Sequence, residues 1–164
     1  MRSIRVERRL DARPEAVFEV IADHGRYDRF AQIRRSELVQ WGDPAPNGVG
    51  AVRWIWVGPL RFEEEITAFE PARRLDFVIR EVRAFPLRHE GTSITFAPAG
   101  AGTHVVWASS FEVPVPLIGS ALERIISAWL ARGFGSVLER SVELSGQSTS
   151  SPASSAQRKQ RDVR

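Results

Sequence analysis

The sequence LIGSALERIISAWLARGFGSVLERSVEL, residues 117–144, has the apolar spacing of a long amphipathic helix. Its apolar residues recur at steps of three and four, which places them on one side of an α-helix. Pro114 and Pro116 precede this stretch and no proline lies inside it, so the helix is expected to be unbroken. A helix this long needs a broad apolar cover, which the upstream chain must supply. The predicted stripe comprises Ile118, Leu122, Ile125, Ile126, Trp129, Leu130, Phe134, Val137, Leu138 and Val142.

The composition is typical of one globular domain. Of the 164 residues, 43% are hydrophobic, and the formal net charge is +3. A chain of this length can bury a core and leave a cavity within it. The sequence has no cysteine, which excludes disulfides, thiolate catalysis and cysteine-ligated zinc. It has no run of about 18 apolar residues and no hydrophobic signal core, so we expect a cytoplasmic protein without stable membrane insertion.

The last 20 residues differ in composition from the rest. Residues 145–164 are rich in serine and poor in apolar side chains, which predicts a disordered basic tail after a folded domain of residues 1–144. This tail carries four basic residues and one acidic residue, and so supplies the whole net charge. The pI of 10.4 therefore reflects a shortage of titrating groups in a neutral body. No basic stripe with interleaved aromatics is present, and no nucleic-acid partner is predicted.

The segments between the N-terminus and the long helix are predicted to form a sheet. Residues 4–10 alternate as a strand does, Pro14 marks a helix start, and Tyr27, Phe30 and Ile33 indicate a second short helix. The turns between the later strands are too short for crossover helices, so neighbouring strands should pair antiparallel. Those strands are residues 36–41, 51–57, 61–69, 74–82, 88–96 and 103–113. The predicted fold class is α+β: a curved antiparallel sheet wrapped around the C-terminal helix, with two short helices after strand 1.

Three segments carry a family resemblance: RPEAVFEVIAD at 13–23, ITAFEPARRL at 66–75 and GTHVVW at 102–107. They are similar to the first helix, central hairpin and last hairpin of the START-like (SRPBCC) superfamily, in the same order. The resemblance is closest to its polyketide cyclase/dehydrase and lipid-transport branch, and the first helix is also similar to quinone-binding relatives. It implies a helix-grip fold with a tunnel for hydrophobic molecules between sheet and last helix. The ligands of the Rieske iron–sulfur branch are absent, and no cofactor is expected.

Hairpin pairing predicts which strand residues face the helix. Across the 98–102 loop, the expected inner pairs are Phe96–Val105, Ile94–Trp107 and Thr92–Ser109. Across the 58–60 turn they are Trp56–Phe62, Trp54–Glu64 and Val52–Ile66, because that register sends Arg53, Arg61, Glu63 and Glu65 to solvent. A slip of one residue would exchange the two faces.

From this register we predict a ligand site, with plain core packing as the alternative for each aromatic residue. Leu75 is expected to face inward beside Phe77 and Ile79, and Phe134 is expected to complete the interior from the helix. The predicted ligand-binding side chains are Trp54, Trp56, Phe62, Glu64, Phe77, Ile79, Ile94, Phe96, Trp107, Ser109, Leu122, Ile125 and Trp129.

Four side chains are candidates for acid–base chemistry, in the order Glu64, Arg88, Tyr27 and Ser109. An inward carboxylate such as Glu64 can act as a general acid or base or as a hydrogen-bond anchor. The alternatives are that it lies at the rim or pairs with an arginine, and that the Ser109 hydroxyl is satisfied by Thr92. Arg88 is expected at the cavity mouth, where an ion pair is the alternative to catalysis.

The histidines are not expected to bind a metal, since no two of them have ligand spacing. His104 and His89 are predicted to point outward. His24 is predicted at the end of the first helix, where a positive charge is favourable.

Two function classes follow. The first is binding or transport of a small hydrophobic molecule such as a lipid, a quinone or a polyketide-like compound, by a monomer or weak homodimer. The second is a polyketide cyclase, aromatase or dehydratase that acts by positioning plus acid–base assistance. An interaction domain is a further alternative, favoured if residues 85–87 or 114–117 form an exposed apolar patch.

Overall fold

Seven strands and two α-helices form residues 1–148, the part of the chain that the computed structural model describes. The strands are β1 (Arg2–Leu10), β2 (Arg35–Gln40), β3 (Val52–Val57), β4 (Leu60–Glu70), β5 (Arg74–Val82), β6 (Arg88–Ala99) and β7 (Gly102–Glu112). The α-helices are α1 (Pro14–Ala22) and α2 (Gly119–Ser148), and a short 3-10 helix (His24–Arg29) follows α1. This order confirms the predicted α+β fold class.

The strands form a single sheet in the order β1-β7-β6-β5-β4-β3-β2 within the described chain. Every neighbouring pair is antiparallel, as the short turns require. The chain therefore runs as a meander from β2 to β7 and then places β1 beside β7. The concave face of this sheet, α1 and α2 enclose the interior, which is the helix-grip arrangement.

Part of the core lies where α1 meets the sheet. Pro14 starts α1, and Val17, Phe18, Val20 and Ile21 are its buried side. The Phe18 ring packs edge-to-face against Phe69 at 5.2 Å and Phe96 at 5.4 Å between centroids. The end of the sheet near the β6–β7 hairpin is thereby filled with side chains.

The predicted apolar stripe of α2 is covered along its C-terminal half. There Val137 and Leu138 are buried, and the Phe134 ring stacks on Trp107 at 4.3 Å. Toward the N-terminus of the stripe, Ile118, which directly precedes α2, and Ile125 are exposed, Ile125 by 67%. The predicted inward placement of Ile125 is wrong, because adjacent residues on a helix are about 100° apart and Ile126 takes the inner position.

The end of α2 lies beyond the predicted boundary at Leu144. The helix continues to Ser148, and the buried Ser145 hydroxyl donates to the Val142 carbonyl oxygen at 2.8 Å. The disorder predicted for residues 145–148 is therefore wrong. The remainder of the predicted tail, residues 149–164, lies outside the described residues.

The two predicted registers had different outcomes. The β6–β7 register is confirmed, with Phe96 opposite Val105, Ile94 opposite Trp107 and Thr92 opposite Ser109. The β3–β4 register is wrong by one residue, since Gly58 and Pro59 alone form the turn and Val57 pairs with Leu60. The inner pairs of this hairpin are Arg53–Glu64 and Ile55–Phe62.

Trp54 and Trp56 consequently lie on the outer face of the sheet, where cations cover their rings. The Arg61 guanidinium lies 4.5 Å from the Trp54 ring, and Arg35 lies 4.8 Å from the Trp56 ring. The Trp54 indole N–H donates to Glu63 at 2.9 Å. These contacts explain how two large aromatics are tolerated on the solvent side.

A candidate ligand-binding cavity

A cavity of about 350 Å³ lies between the concave face of the sheet and α2. Its walls are mainly apolar: the sheet contributes Ile55, Val57, Leu60, Phe62, Phe77, Ile79, Trp107 and Phe111, and α2 contributes Ile126, Trp129, Leu130, Phe134 and Val137. Phe85 and Leu87, from the β5–β6 connection, close one side. The volume is at the lower end of the range of small-molecule sites, about 300–1,000 Å³.

Trp129 marks the opening of the cavity. Its side chain both lines the cavity and is 39% exposed, so it lies between the interior and solvent. The exposed Arg132, one turn along α2, also borders the cavity. Across from the sheet, Gln32 donates to the Gly133 carbonyl oxygen at 3.1 Å and ties the connection before β2 to the helix.

The structure places seven of the predicted ligand-binding residues on the cavity wall: Phe62, Glu64, Phe77, Ile79, Trp107, Ser109 and Trp129. The other six lie elsewhere. Ile94 and Phe96 are buried in the core with Leu75, Leu122 packs against that core, Ile125 is exposed, and Trp54 and Trp56 face outward.

Glu64 is held by an ion pair with Arg53, the residue opposite it on β3. The Arg53 Nε and Nη2 atoms lie 2.8 and 2.6 Å from Glu64 Oε2. Arg53 is only 1% exposed, and its guanidinium lies 4.6 Å from the Tyr27 ring and 5.1 Å from the Phe77 ring. A buried charge needs such a partner, so the carboxylate stabilises the arginine inside the fold.

His24 completes this buried group and is not the exposed helix-end cation that its position in the sequence suggested. It is fully buried, and its Nδ1 atom contacts Arg53 Nη1. Burial, and then the positive charge of Arg53, hold the His24 pKa well below its ordinary value. His24 is therefore neutral, with Nδ1 as the acceptor for Arg53.

His89 also lies inside, contrary to its predicted outward direction. A bulge between His89 and Gly91, where Gly91 has φ +150°, shifts the alternation of β6 and turns His89 toward the cavity. Its ring stacks on Phe77 at 6.3 Å. Burial lowers the His89 pKa to about 4, so the ring is neutral at pH 7.

A polar cluster surrounds His89 on the cavity wall. The Ile79 N–H donates to His89 Nδ1 at 2.8 Å, and His89 Nε2 lies 3.1 Å from both Thr92 Oγ1 and Ser109 Oγ. Thr92 donates to Ser109 at 2.9 Å, as the alternative interpretation of these hydroxyls anticipated. The apolar–polar alternation of the β6 sequence does not indicate the bulge that brings His89 into this cluster. Gly91 is the one residue that marks it in the sequence.

The remaining acid–base candidates, Tyr27 and Arg88, do not line the cavity. Tyr27 is buried and its hydroxyl donates to the Ile21 carbonyl oxygen, while burial raises its pKa. Arg88 is exposed and lies 3.5 Å from Glu112 in an ion pair at the sheet surface. Of the four candidates, Glu64 and Ser109 are therefore the ones that a bound molecule can reach.

Residues 1–148 hold no group of three or more histidine, aspartate or glutamate side chains placed to bind a metal ion. The same residues include no helix with the length and hydropathy needed to cross a bilayer.

The family model described as polyketide cyclase/dehydrase and lipid transport matches residues 1–145. The chain belongs to this family. Membership and fold together indicate hydrophobic-ligand binding or chemistry of the polyketide cyclase/dehydrase type. No curated protein matches the chain.

Solved structures support the fold. TTHA0849 from Thermus thermophilus has a TM-score of 0.70 at 23% identity, covering 92% of this chain and 100% of its own. A START superfamily protein from Mycobacterium smegmatis has a TM-score of 0.72 at 14% identity, covering 87% of this chain and 97% of its own. DynU16, from the dynemicin biosynthetic locus, has a TM-score of 0.62 at 22% identity, covering 86% of this chain and 47% of its own. At these identities the likeness shows the fold alone.

Proposed function

We propose that the protein binds and carries a small hydrophobic molecule in the cavity between the sheet and α2. The observation that carries this proposal is the apolar cavity of about 350 Å³, lined from both the sheet and the helix. Transfer of apolar ligand surface from water into such a site is favourable by about 25 cal/mol per Å². The family and the fold support the same class of ligand.

The size of the cavity favours a compact ligand. A volume of about 350 Å³ suits a fused-ring or short-chain compound better than a two-chain lipid. Trp129 provides a route of entry, because its partly exposed ring can move without opening the buried core. The ligand is expected to contact Phe62, Phe77 and Trp107 on the sheet.

Binding is favoured over catalysis because the two acid–base candidates that line the cavity, Glu64 and Ser109, are each paired with a neighbouring side chain. The Glu64 carboxylate forms an ion pair with the Arg53 guanidinium. Ser109 lies 3.1 Å from His89 Nε2, a spacing that resembles a nucleophile and its base. However, the Ile79 N–H donates to His89 Nδ1, so the proton is on Nε2 and this nitrogen cannot accept the serine proton.

The first test is mass spectrometry of an organic extract from the purified protein and two variants. Ile79→Trp fills the cavity, whereas Val78→Trp makes the same change on the opposite face of β5. A hydrophobic species should co-purify with the wild type and Val78→Trp and be depleted in Ile79→Trp. Equal recovery from both variants contradicts a ligand in this cavity.

A titration with N-phenyl-1-naphthylamine decides the outcome when no species co-purifies. Saturable fluorescence enhancement in the wild type and Val78→Trp, weakened in Ile79→Trp, supports the proposal. No enhancement in any of the three proteins contradicts it. In the extraction, a compound that accumulates in Glu64→Gln or Ser109→Ala but not in the wild type indicates blocked turnover, and favours the cyclase or dehydratase alternative.

A further inference from the structure

The pairing between β5 and β6 ends partway along both strands. Its last pair is Phe77–Thr92. Residues 78–82 of β5 and 88–91 of β6 lie beyond this point and are not paired with each other. On its other side, β6 stays paired with β7 as far as Arg88. The sheet therefore has a seam, defined here as the two unpaired segments 78–82 and 88–91.

The His89 side chain fills this seam. An antiparallel ladder continued from the last pair would set Ile79 opposite Glu90. Instead, the bulge between His89 and Gly91 interrupts the ladder, and the Ile79 N–H donates to His89 Nδ1 at 2.8 Å. An imidazole nitrogen thus replaces a backbone carbonyl as the acceptor. Because a side chain can change its rotamer while the strands stay in place, this closure can open.

Hollows lie on both sides of the seam. On the concave side is the ligand cavity, whose wall includes the half-buried His89. On the convex side, a groove of about 500 Å³ lies over β5, β6 and β7. Phe77, Thr92 and Ser109 border both the cavity and the groove. One layer of sheet therefore separates the cavity from solvent here, and the His89 ring bridges the two unpaired segments.

The route across the seam is polar, unlike most of the cavity wall. On the cavity side, His89 Nε2 lies 3.1 Å from both Thr92 Oγ1 and Ser109 Oγ. A side chain at Gly91 would have open space around its Cβ, with no described atom within 4 Å, so the seam is uncovered at this residue. Water requires polar partners along its path, and this path supplies them. The groove adds carboxylate and hydroxyl groups from Thr67, Asp76, Glu90, Ser93 and Ser110.

Ligand exchange creates a need for such a path. A cavity of about 350 Å³ with polar groups on one wall has room for several water molecules. A ligand that enters past Trp129 occupies that opening while the water still has to leave. A second opening on the polar wall removes this conflict.

We propose that the seam between β5 and β6 is a second opening of the cavity, closed by the His89 ring, through which water passes when a ligand enters or leaves beside Trp129. This inference rests on the proposed function, because it concerns exchange with the same cavity. Rotation of the His89 ring breaks its bond to the Ile79 N–H and opens the seam. The two strands stay in place because β4 and β7 hold them from either side.

The test measures how fast N-phenyl-1-naphthylamine binds and leaves, by stopped-flow fluorescence. His89→Ala removes the closure. Ala108→Trp places a large ring over the groove, on the outer face of β7 and outside the cavity. Val106→Trp is its matched control, because Val106 lies two residues along the same strand and face but does not border the groove.

His89→Ala is expected to raise both the association and the dissociation rate constant by about tenfold, which is within the spread of rates among variants of one site. It should also make the bound dye more accessible to the polar quencher acrylamide. Addition of Ala108→Trp to His89→Ala should reverse most of both effects, whereas addition of Val106→Trp should not. In the otherwise wild-type protein, Ala108→Trp should slow both rates with little change in Kd, because the new ring lies outside the cavity.

Two outcomes overturn the inference while the proposed function stands. In the first, His89→Ala speeds exchange but Ala108→Trp reverses it no more than Val106→Trp does; loss of the ring then loosens the cavity without opening the seam. In the second, the dye binds but neither His89→Ala nor Ala108→Trp changes either rate. If His89→Ala does not fold, unchanged rates in Ala108→Trp alone overturn the inference. If the dye binds to none of the proteins, the proposed function fails together with the inference.

Discussion

At the scale of single residues, the Arg53–Glu64 pair shows how a charge can define one face of a sheet. Arg53 is almost fully buried, yet its guanidinium has a carboxylate, a histidine nitrogen and two aromatic rings around it. The net stabilisation from such a pair is small, but removal of one partner leaves the other charge buried and unpaired.

Glu64→Gln or Arg53→Met alone should therefore lower the free energy of unfolding by about 3–5 kcal/mol. The double variant Arg53→Met/Glu64→Leu should lose clearly less than the sum of both losses, because no buried charge remains. Urea denaturation measures the three values. Arg80→Met is the control: it breaks the exposed pair with Glu65 on the outer face and should cost less than about 1 kcal/mol. Additive losses in the double variant would contradict the coupling.

The buried histidines make stability depend on pH. The folded pKa of His89 is about 4 and that of His24 is also below the ordinary 6.5, in both cases because of burial. Between the ordinary histidine pKa of 6.5 and the lower folded pKa, the unfolded chain binds more protons than the folded one. The stability that is present at neutral pH is therefore lost as the pH falls. From pH 7 to pH 5 His89 alone should account for about 2 kcal/mol.

His89→Gln should accordingly flatten the fall in the free energy of unfolding between pH 7 and pH 5, measured by urea denaturation. His104→Gln is the matched control, because His104 lies at the surface beside Glu7. If both variants follow the wild-type pH dependence, the neutral buried state assigned to His89 is wrong.

At the scale of elements, α2 performs two tasks along its length. Its C-terminal half packs on the sheet through Phe134, Val137 and Leu138, of which Phe134 and Val137 also border the cavity. Its N-terminal half contributes Ile126 and the partly exposed Trp129 to the cavity wall. Packing contacts contribute to stability, and cavity-wall contacts are completed only when a ligand is bound.

Two tryptophan substitutions separate these tasks. Trp107→Ala, which removes a buried ring stacked on Phe134, should cost about 3–5 kcal/mol of unfolding free energy. Trp129→Ala should cost much less, because this ring is 39% exposed, and should instead weaken dye binding. Thermal unfolding and the dye titration measure both effects. A Trp129→Ala variant as unstable as Trp107→Ala would show that Trp129 belongs to the core.

At the scale of the whole molecule, the folded unit includes all of α2. Deletion of residues 149–164 is predicted from their composition to leave the melting temperature unchanged, since few apolar side chains are lost. Deletion of residues 145–164 also removes the buried Ser145 and should lower the melting temperature. Calorimetry of the two truncations measures the difference. A marked drop for the shorter deletion would show that these residues contribute to the fold.

The order and type of the elements, the antiparallel meander and the β6–β7 register were predictable from the sequence. These depend on local signals: apolar periodicity in α2, turn residues between strands, and the short spacers that exclude crossovers. Phe62, Phe77 and Trp107 were also placed on the inner face, because side chains alternate between the two faces of a strand.

The tertiary structure determined the features for which the local sequence pattern allows two alternatives. The β3–β4 hairpin could bury Trp54 and Trp56 or Arg53, and hydrophobicity favours the tryptophans. The observed register depends on Glu64 from β4, and His24 and Tyr27 from the 3-10 helix, meeting Arg53. His89 is likewise turned inward by one bulge. The fold class thus follows from the sequence alone, whereas the polar chemistry of the cavity depends on which buried charges and donors find partners in three dimensions.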